Sequence, residues 1–386
     1  MQYVEGVPQL ATQRSAKSTG GVPGYARQQA GAVRRYGPDL FMTEFVNVDG
    51  LQSPGRPRLL HKLALTDKEH PILAQIWGLK PENFYKTVKE MINGTLAAEL
   101  EAMQGKAEKR SKLYQSAYSE RASQALTQQR PSSDSGATGF ASRQAGAVRG
   151  KRGFDGVDLN FGCPVKTVIK NGACAALIKN RKLAGEIIAA VKEAAHSTSS
   201  GQAGQNFPVT VKTRLGFNQV DLSWLEFLLG QKLNMLSIHL RTAKELSDVP
   251  AHWDLADEVR QRRDALAPET LLVGNGDVPS RAAALKLAKA HQLDGVMIGR
   301  GVFHDPFLFA EDSLWSSWSK AQKLDLFARH IELFAKTYPK GERKFETLRK
   351  FCKVYINGFD GASELRAEFM RTTSPEQTLA LLAKAT

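Results

Sequence analysis

Short apolar segments alternate with segments of helical period from Asp39 onward, and this alternation constrains the fold more than any other feature of the sequence. The predicted strands are Asp39–Thr43, Ile72–Ile76, Gly156–Asn160, Val209–Lys212, Met235–His239, Leu271–Gly274 and Gly295–Ile298. The predicted helices include Pro81–Met91, Lys182–Ala194, Leu222–Leu229, Trp253–Arg263 and Ser280–Ala290. Strand–helix–strand alternation is typical of a parallel sheet. Seven such strands with polar residues at their C-terminal ends favour a TIM (β/α)₈ barrel, whose reactive face lies at those ends.

The pattern changes after about Asp312, where the segments keep a helical period and lose the strand pattern. We therefore divide the chain into a barrel domain over residues 36–311 and a small helical domain over residues 312–386. The final predicted helix has Ser374 as its N-cap and Pro375 at its first position. The helical domain is locally basic through Lys340, Arg343, Lys344, Arg349, Lys350 and Lys353. A solvated helix face is the commoner explanation of such a run.

Three related segments interrupt the alternation. Residues 24–34 (GYARQQAGAVR) and 139–149 (GFASRQAGAVR) match at eight of eleven positions, and residues 200–204 echo both. Their Ser-, Gly- and Gln-rich surroundings are typical of flexible loops. We interpret residues 1–35 as an altered, flexible N-terminal segment, and residues from about 94 to 151 as an insertion within the barrel domain.

Charge and cysteine content limit the class of protein. The formal net charge of +14 favours a polyanionic partner, most simply nucleic acid. The chain has only three cysteines, Cys163, Cys174 and Cys352, and this sparse set indicates a reducing compartment rather than a disulfide framework. No apolar run is long enough to span a membrane, and the N-terminus lacks the apolar core of a secretory signal. We therefore expect a cytoplasmic monomer without a membrane partner.

A cysteine follows the third predicted strand in the turn Gly162-Cys163-Pro164. Gly162 allows a tight turn and Pro164 stiffens it, so the thiol is displayed at the end of the strand. Such a thiol can be a nucleophile, a metal ligand or a proton donor. The lack of other Cys or His residues at metal-ligand spacing argues against zinc, and no cysteine-protease signature is visible. A general acid remains open, provided that its pKa is near neutral or above.

Two glycine-containing loops close the last two predicted strands, VGNGDV at 273–278 and MIGRG at 297–301. The loops after strands seven and eight of a (β/α)₈ barrel often hold a phosphate group. Gly276 and Gly299 allow close approach of the backbone, and Arg300 adds positive charge. Together with polar residues from other strand ends, the loops describe a pocket for flavin mononucleotide (FMN); these residues are Gln75, Lys212 and His239.

Seven motifs then follow one another in a specific order: TEFV (43–46), QIWG (75–78), DGVDLNFGCP (155–164), VTVKTRLGF (209–217), IHLRT (238–242), VGNGDV and DGVMIGRG (294–301). This order resembles the signatures of the tRNA-dihydrouridine synthase family. The segment LRKFCKVYINGFDGASELR (348–366) resembles the helical tail of that family. The resemblance covers about residues 36–93, 152–195 and 207–386.

The resemblance implies an enzyme that reduces uridine in tRNA to dihydrouridine with FMN, which NADPH reduces in turn. Cys163 would protonate C5 of uracil while the reduced flavin delivers hydride to C6. The implied cofactor-binding residues are Gln75, Lys212, His239, Asn275, Gly276, Asp277, Gly299 and Arg300. The implied substrate-binding residues are Asn160, Arg214 and Arg241. The helical domain and the basic surplus would bind tRNA phosphates, and no metal ligand is implied.

The chain departs from the family pattern at its start. The family begins with a strand and loop of the type APMxGVTDxxFR, and this chain has YVEGVPQLATQRSAKSTGG instead. We therefore expect the first barrel strand to be missing or altered, with Met1–Val4 left to supply a short strand; an open barrel would expose two sheet edges. Leu240 replaces the usual glycine and is expected to shift the backbone near His239. Cys174 and Cys352 are interpreted as packing residues.

Two alternatives stay open. The first is another FMN barrel, similar to dihydroorotate dehydrogenase, which acts on a free pyrimidine acid; the basic helical domain argues against it. The second is a tRNA-binding remnant whose catalysis is impaired by the altered first strand. Bound flavin and tRNA-dependent activity distinguish these alternatives from the synthase.

Overall fold

The structure is a computed structural model that describes the backbone of residues 2–5 and residues 38–65, 69–103, 153–196, 207–310, 313–338, 341 and 343–385. The repeat copies at 24–34 and 139–149, the fragment at 200–204 and Lys340 lie outside the described residues. So does the predicted insertion beyond residue 103, whose described beginning is helical over 95–103. The proposed domain boundaries stay predictions.

The strands of the described residues form one curled sheet. They are β1 (Gln2–Glu5), β2 (Leu40–Met42), β3 (Val46–Asn47), β4 (Ile72–Trp77), β5 (Gly156–Asn160), β6 (Val209–Gly216), β7 (Met235–Thr242), β8 (Leu271–Asn275) and β9 (Gly295–Ile298). All seven strands expected from the sequence are present, and β6 and β7 run beyond their predicted ends at Lys212 and His239. Parallel pairings connect β2, β4, β5, β6, β7, β8 and β9 in that order, and β3 extends the sheet beside β4.

The first strand closes this sheet in an unusual direction. β1 pairs antiparallel with β9, with Tyr3 opposite Ile298, and antiparallel with β2, with Tyr3 opposite Phe41. The expectation of an altered first strand is therefore confirmed. The strand occupies both edges that an open barrel would expose. Eight strands, β1, β2 and β4 to β9, therefore complete a ring as in a TIM barrel.

Some helices cover the outside of this ring, and others come after the last barrel strand in the sequence. They are α1 (Val48–Leu51), α2 (Pro81–Ile92), α3 (Lys166–Lys170), α4 (Arg181–His196), α5 (Leu222–Leu229), α6 (Ala256–Leu266), α7 (Arg281–Ala290), α8 (Lys320–Thr337), α9 (Cys352–Tyr355), α10 (Ala362–Phe369) and α11 (Pro375–Ala385). Short 3₁₀ helices lie at Arg56–Arg58, Leu60–Lys62, Cys174–Lys179, Trp253–Leu255, Arg300–Phe303, Trp315–Ser317 and Phe345–Phe351. The predicted helix over Trp253–Arg263 thus begins as a 3₁₀ turn.

Side chains alternate between the outside and the inside of the barrel along each strand. They form one apolar core on the outside, and a second apolar core inside the ring beneath the polar site. Side chains facing the helices form the main core with the buried faces of α2, α4 and α5. Inside the ring, an apolar plug consists of Leu40, Met42, Leu73, Met235, Leu271, Val273 and Met297. Because successive strand residues face opposite sides, the inward positions that follow this plug toward the C-terminal ends are the ones that carry polar groups. The plug therefore makes a dry floor beneath the site.

The helices after the barrel bury an apolar cluster of their own. It includes Phe327, Ile331, Leu348, Tyr355 and Phe369. α8 begins with a capping box in which Ser319 and Gln322 satisfy each other's backbone N–H groups. Cys352 is buried in this cluster, as predicted.

Leu240 lies with its side chain in the main core, facing away from the interior of the ring. The register of β6 and β7 is regular through the pair Arg214–His239, and it shifts between Arg214 and Gly216. The irregularity is thus just beyond His239, toward the C-terminal end of both strands.

Candidate active site

A chain of buried hydrogen bonds connects three neighbouring strands at the upper level of the barrel interior. Thr210 Oγ1 donates to Asp158 Oδ1 at 2.5 Å, and Gln75 Nε2 donates to Asp158 Oδ2 at 2.7 Å. Gln75 Oε1 in turn accepts a hydrogen bond from Asn160 Nδ2 at 3.0 Å. Burial raises the pKa of Asp158 to about 6, although Thr210, Gln75 and Lys212 oppose the rise. These contacts fix which end of the Gln75 amide faces which partner.

At its Asn160 end, this series of hydrogen bonds holds the turn that carries Cys163. Asn160 Oδ1 accepts hydrogen bonds from the backbone N–H groups of Gly162 at 3.1 Å and Cys163 at 3.0 Å. Arg214 Nε donates to the carbonyl oxygen of Gly162 at 2.9 Å. A Cβ atom at position 162 would lie 3.2 Å from the backbone of Thr213, so glycine lets the turn lie against β6. The Cys163 thiol is half-buried at the C-terminal end of β5.

Arg214 is held by backbone carbonyls. In addition to Gly162, its Nη1 donates to the carbonyl oxygens of Thr242 at 2.8 Å and Leu246 at 3.1 Å. The side chain is buried. The structure therefore places Arg214 as a clamp between the Cys163 turn and the end of β7, and its contact with substrate stays a prediction.

A second cysteine lies against Cys163. The neighbouring Cys174 thiol is the largest influence on the pKa of Cys163 and lowers it, because hydrogen bonding from this thiol favours the Cys163 thiolate. Burial opposes it, and the N–H of Val165 and the charges of Arg214 and Lys212 reinforce it, so that the pKa is lowered to about 6. The same interaction and burial raise the pKa of Cys174, which stays protonated. Cys174 is fully buried, as expected of a packing residue.

Lys212 supplies a cation without an anchoring partner. Among the described residues, no acceptor makes a hydrogen bond to its ammonium group. Burial, followed by the nearby charge of Arg214, lowers its pKa to about 8, although Asp158 and Cys163 act in the opposite direction. A partly desolvated cation of this kind favours an anionic or strongly accepting ligand.

His239 is a neutral imidazole in the same region. Burial and the charges of Lys212, Arg214, Arg241 and Arg300 lower its pKa to about 2. Its Nδ1 is buried and has no hydrogen-bond partner, and the same holds for Oγ of Ser237 two residues earlier on β7. Residues two apart share one face of a strand, so β7 presents two unsatisfied polar groups to the barrel interior. Such groups are costly unless a ligand satisfies them.

The loops after β8 and β9 form the opposite end of the site. Asp277 lies at a positive φ of 51°, and its carboxylate accepts hydrogen bonds from the Arg241 guanidinium and from the N–H of Ala251 at 3.0 Å. Arg300 Nη2 lies 3.5 Å from Asp277 Oδ1, and its side chain is 65% exposed. Arg300 is thus held loosely and retains donors for an anion.

Two glycines shape the backbone of this end. Gly276 has φ of 135°, and a Cβ there would lie 2.6 Å from Cβ of Ala251 and 3.8 Å from Nε2 of His239. A Cβ at Gly299 would meet no atom within 4 Å, so the backbone borders open space. The Asn275 side chain is bound to the neighbouring strand, since its Nδ2 donates to the carbonyl oxygen of Met297 at 2.8 Å.

Arg241 is almost completely enclosed by the protein. Its side chain is 2% exposed; Nε donates to Val249 O at 2.6 Å, and Nη1 lies 3.4 Å from His239 Nε2. Arg241 therefore connects His239 with Asp277. As with Arg214, direct contact with substrate stays a prediction.

Comparison with known proteins decides the family. The family model described as "Dihydrouridine synthase (Dus)" matches residues 114–386. A probable tRNA-dihydrouridine synthase of Staphylococcus aureus strain Mu50 is 38% identical over 349 residues, which is 89% of this chain and 84% of that protein. The chain belongs to the dihydrouridine synthase family. Two other members, the probable tRNA-dihydrouridine synthase 2 of Bacillus subtilis strain 168 and a probable synthase of Staphylococcus epidermidis strain ATCC 12228, are each 37% identical over 89% of this chain and 85% of their own lengths.

The residues of the site have the chemistry that the FMN expected from the sequence would need. A planar heterocycle needs fixed donors and acceptors at its edge, which the buried Nδ1 of His239, Oγ of Ser237 and the ammonium of Lys212 provide. A phosphate needs an open backbone and an exposed cation, which Gly299 and Arg300 provide. Within the described part of the chain no group of three or more His, Cys, Asp or Glu residues is arranged to hold a metal ion, and no helix there is long and apolar enough to cross a membrane.

Three features of this dihydrouridine synthase site were missed in the sequence. Asp158 was overlooked, although its spacing of two from Asn160 on a predicted strand puts both on one face. Ser237 has the same spacing from His239. Contact between Cys163 and Cys174 depends on how the loop folds back, and no local pattern indicated it.

Proposed function

We propose that this protein reduces the C5–C6 bond of uridine in tRNA to give dihydrouridine, with FMN as its cofactor and NADPH as the reductant. Membership of the dihydrouridine synthase family supports the reaction class. The observation that carries the proposal for this chain is the placement of the Cys163 thiol. Asn160 and Arg214 hold its turn at the end of β5, beside the unpaired Lys212 cation on the next strand.

The bound cofactor would be held along β4, β6, β7 and the last two loops. Lys212 and His239 would bind the ring and ribityl chain, since His239 Nδ1 and the Lys212 ammonium have no protein partner among the described residues. Gln75 Nε2 donates to Asp158 and Met42, and Oε1 retains one lone pair beyond its bond from Asn160. Arg300 and the backbone at Gly276 and Gly299 would bind the ribityl phosphate. When bound, FMN would supply the hydride for C6 of uracil.

Cys163 would supply the proton for C5. Its thiol is the acidic group at the end of β5, and its pKa of about 6 makes it a stronger proton donor than an ordinary cysteine. At neutral pH only about a tenth of the molecules carry that proton, since the pKa lies about one unit below the pH. The Asn160 side chain would lie beside the base and keep the Cys163 turn fixed while the thiol transfers its proton. The uracil has to leave its stack in the RNA to reach this depth.

Exposed cations of the helical segment would bind the tRNA backbone. Lys344, Lys350 and Lys353 are exposed. Arg343, in contrast, is committed to an ion pair with Glu44 at 2.6 Å. A polyanion bound here would give affinity that falls steeply with salt concentration.

The deciding experiment measures dihydrouridine in unmodified tRNA after incubation with the purified protein, FMN and NADPH. We expect flavin absorption bands in the protein and tRNA-dependent reduction. Replacing Cys163→Ala should slow reduction by about 100-fold or more, as for loss of a general acid, whereas Cys352→Ala in the helical cluster should leave the rate unchanged.

Three outcomes would contradict the proposal. Equal rates of wild type and Cys163→Ala would remove the thiol from the chemistry. Flavin-dependent turnover of a free pyrimidine acid without tRNA would indicate a dihydroorotate dehydrogenase-like enzyme. Salt-sensitive tRNA binding by a protein that takes up no FMN would indicate a catalytically impaired remnant.

A further inference from the structure

The loop after β5 brings two of the three cysteines into contact. The thiols of Cys163 and Cys174 are near enough that each is the largest influence on the pKa of the other. Their backbones also lie side by side, since the N–H of Ala175 donates to the carbonyl oxygen of Cys163 at 3.4 Å. All three cysteines are free thiols.

The path of the chain explains this contact. After Pro164 the chain forms the short helix α3 and reverses at Gly172, whose φ is 85°. Cys174 then adopts φ of 53°, in the left-handed region that favours glycine, and its side chain turns inward with no exposed surface. A glycine would fit this backbone with less strain, so packing alone does not account for a cysteine here.

We propose that Cys163 and Cys174 form a reversible disulfide when a hydroperoxide oxidises the protein, which makes this loop a redox modification site. Cys163 is the accessible member of the pair, and the cations Lys212 and Arg214 favour its thiolate. Cys174 is shielded from solvent and resolves the oxidised form. This is the usual division between a peroxide-sensing cysteine and its resolving partner.

The chemistry balances in two steps. The Cys163 thiolate attacks one oxygen of the hydroperoxide, the O–O bond breaks, hydroxide or alkoxide leaves, and Cys163 becomes a sulfenic acid. The sulfur of Cys174 then bonds to the sulfur of Cys163, and the sulfenic oxygen leaves as water with the thiol proton of Cys174. Two thiols give up two electrons in total, and the peroxide accepts both. A dithiol reductant reduces the Cys163–Cys174 disulfide by thiol–disulfide exchange and restores both thiols.

The consequence for activity rests on the proposed function, because a disulfide would remove the thiol that donates the proton to C5. The disulfide itself does not depend on that function. A protein without the proposed catalysis could still form the disulfide, and an active synthase could lack it. The test therefore detects the disulfide itself and does not depend on activity.

The test treats the purified full-length protein with hydrogen peroxide, blocks the remaining thiols, and maps tryptic peptides under non-reducing conditions. Trypsin cuts after Lys166 and Lys170, so a Cys163–Cys174 bond would join two separate peptides. We expect this joined pair, and we expect the count of free thiols in the unfolded protein to fall from three to one and to return to three after dithiothreitol.

Two variants complete the design. Cys174→Gly suits the left-handed backbone, and its Cys163 should be oxidised to a sulfinic acid that dithiothreitol does not restore; Cys174→Ser serves the same purpose should the glycine variant not fold. Cys352→Ser should still form the joined peptides. The proposal is overturned when wild-type Cys163 is consumed without the joined pair, or when its oxidation is as irreversible as that of Cys174→Gly.

Discussion

Asn160 Nδ2 donates to Gln75 Oε1 at 3.0 Å, and the same asparagine accepts from the backbone N–H of Cys163 with its other amide atom. Both amides are buried, and the Nε2 group of Gln75 is bound to Asp158. The reactive turn at the end of β5 is therefore oriented from inside the barrel, through the amide side chains of Gln75 on β4 and Asn160 on β5.

Changing Gln75→Glu should break this orientation. The new carboxylate cannot donate to Asp158 and would face it at hydrogen-bonding distance, so one buried acceptor loses its donor. We expect the free energy of unfolding at neutral pH to fall by about 3 kcal/mol, measured by urea denaturation. Gln219→Glu, at an exposed position, is the matched control and should change it little. A similar small loss in both variants would show that the amide orientation does not matter to the fold.

Changing Asp158→Asn should remove a pH dependence of stability. The pKa of Asp158 is about 6 in the folded protein against an ordinary 3.8, so the folded state prefers the protonated form. The stability that depends on this proton is fully present below about pH 4 and is lost as the pH rises to about 6. Between pH 4.5 and pH 7.5, wild type should lose about 2 kcal/mol relative to Asp158→Asn, as the pKa difference requires.

Urea unfolding of both proteins at the two pH values checks this prediction. The asparagine keeps an acceptor for Gln75 and a polar partner for Thr210, so the comparison isolates the charge. A stability difference that stays constant across this pH range would mean that Asp158 does not titrate there.

Changing Lys212→Met should separate stability from cofactor binding. The pKa of Lys212 is lowered to about 8 from 10.5, so the folded state disfavours the charged form; this cost is present below about pH 8 and fades as the pH rises toward 10.5. We expect the variant without cofactor to be more stable at pH 7 by about 2 kcal/mol and to lose affinity for FMN.

Chemical denaturation and titration with FMN, followed by flavin fluorescence, give the two readouts for Lys212→Met. Lys170→Met, at an exposed site, should change neither. Unaltered FMN affinity in the Lys212 variant would remove this residue from the cofactor site, whatever the effect on stability.

The ion pair between Glu44 and Arg343 should couple the barrel to the helices that follow it. These residues are 299 positions apart and 2.6 Å from each other. Burial raises the pKa of Glu44, and the hydrogen bond and charge of Arg343 outweigh burial, so the pKa is lowered. The stabilisation is present above the ordinary pKa of 4.5 and is lost as the pH falls through the lowered value.

A double-mutant cycle with Glu44→Gln and Arg343→Met should give a coupling of about 1 kcal/mol at pH 7. The exposed pair Asp325–Arg329 on α8, at 2.8 Å, is the matched control and should give about 0.3 kcal/mol. Equal coupling in the two cycles would show that the contact between barrel and helices adds nothing beyond a surface pair.

The strands and the chemical residues at their ends were predictable because both depend on local pattern. Gln75, Asn160, Lys212 and His239 each end or interrupt an apolar run, and the parallel alternation fixes that these ends meet at one edge. Contacts set by closure of the ring were not predictable. The antiparallel direction of Gln2–Glu5 depends on two partner strands far away in the chain, and four residues carry no pattern that specifies direction.

The same limit applies to three arginines whose protein partners the sequence did not indicate. Arg343 belongs to a basic run in the sequence and was grouped with cations for nucleic acid, yet it pairs with Glu44. Arg214 and Arg241 were expected near substrate, and their guanidinium groups are satisfied by carbonyls and by Asp277. A sequence identifies a guanidinium but not the carbonyl groups that the fold brings to it.

The contact between Cys174 and Cys163 should set the pH dependence of uridine reduction. A proton donor acts only while protonated, so kcat/KM should fall as the pH rises through the pKa of Cys163, which is lowered to about 6. Cys174→Gly removes the hydrogen bond that stabilises the thiolate and leaves the charges of Lys212 and Arg214 in place. The descending limb should therefore move to higher pH, by about one unit, while Cys352→Ser leaves it in place.

Alkylation of Cys163 by iodoacetamide as a function of pH checks the same shift without turnover, and should become slower at pH 7 in Cys174→Gly because less thiolate is present. Identical alkylation and kcat/KM profiles in wild type and Cys174→Gly would show that Cys174 packs beside Cys163 without tuning it.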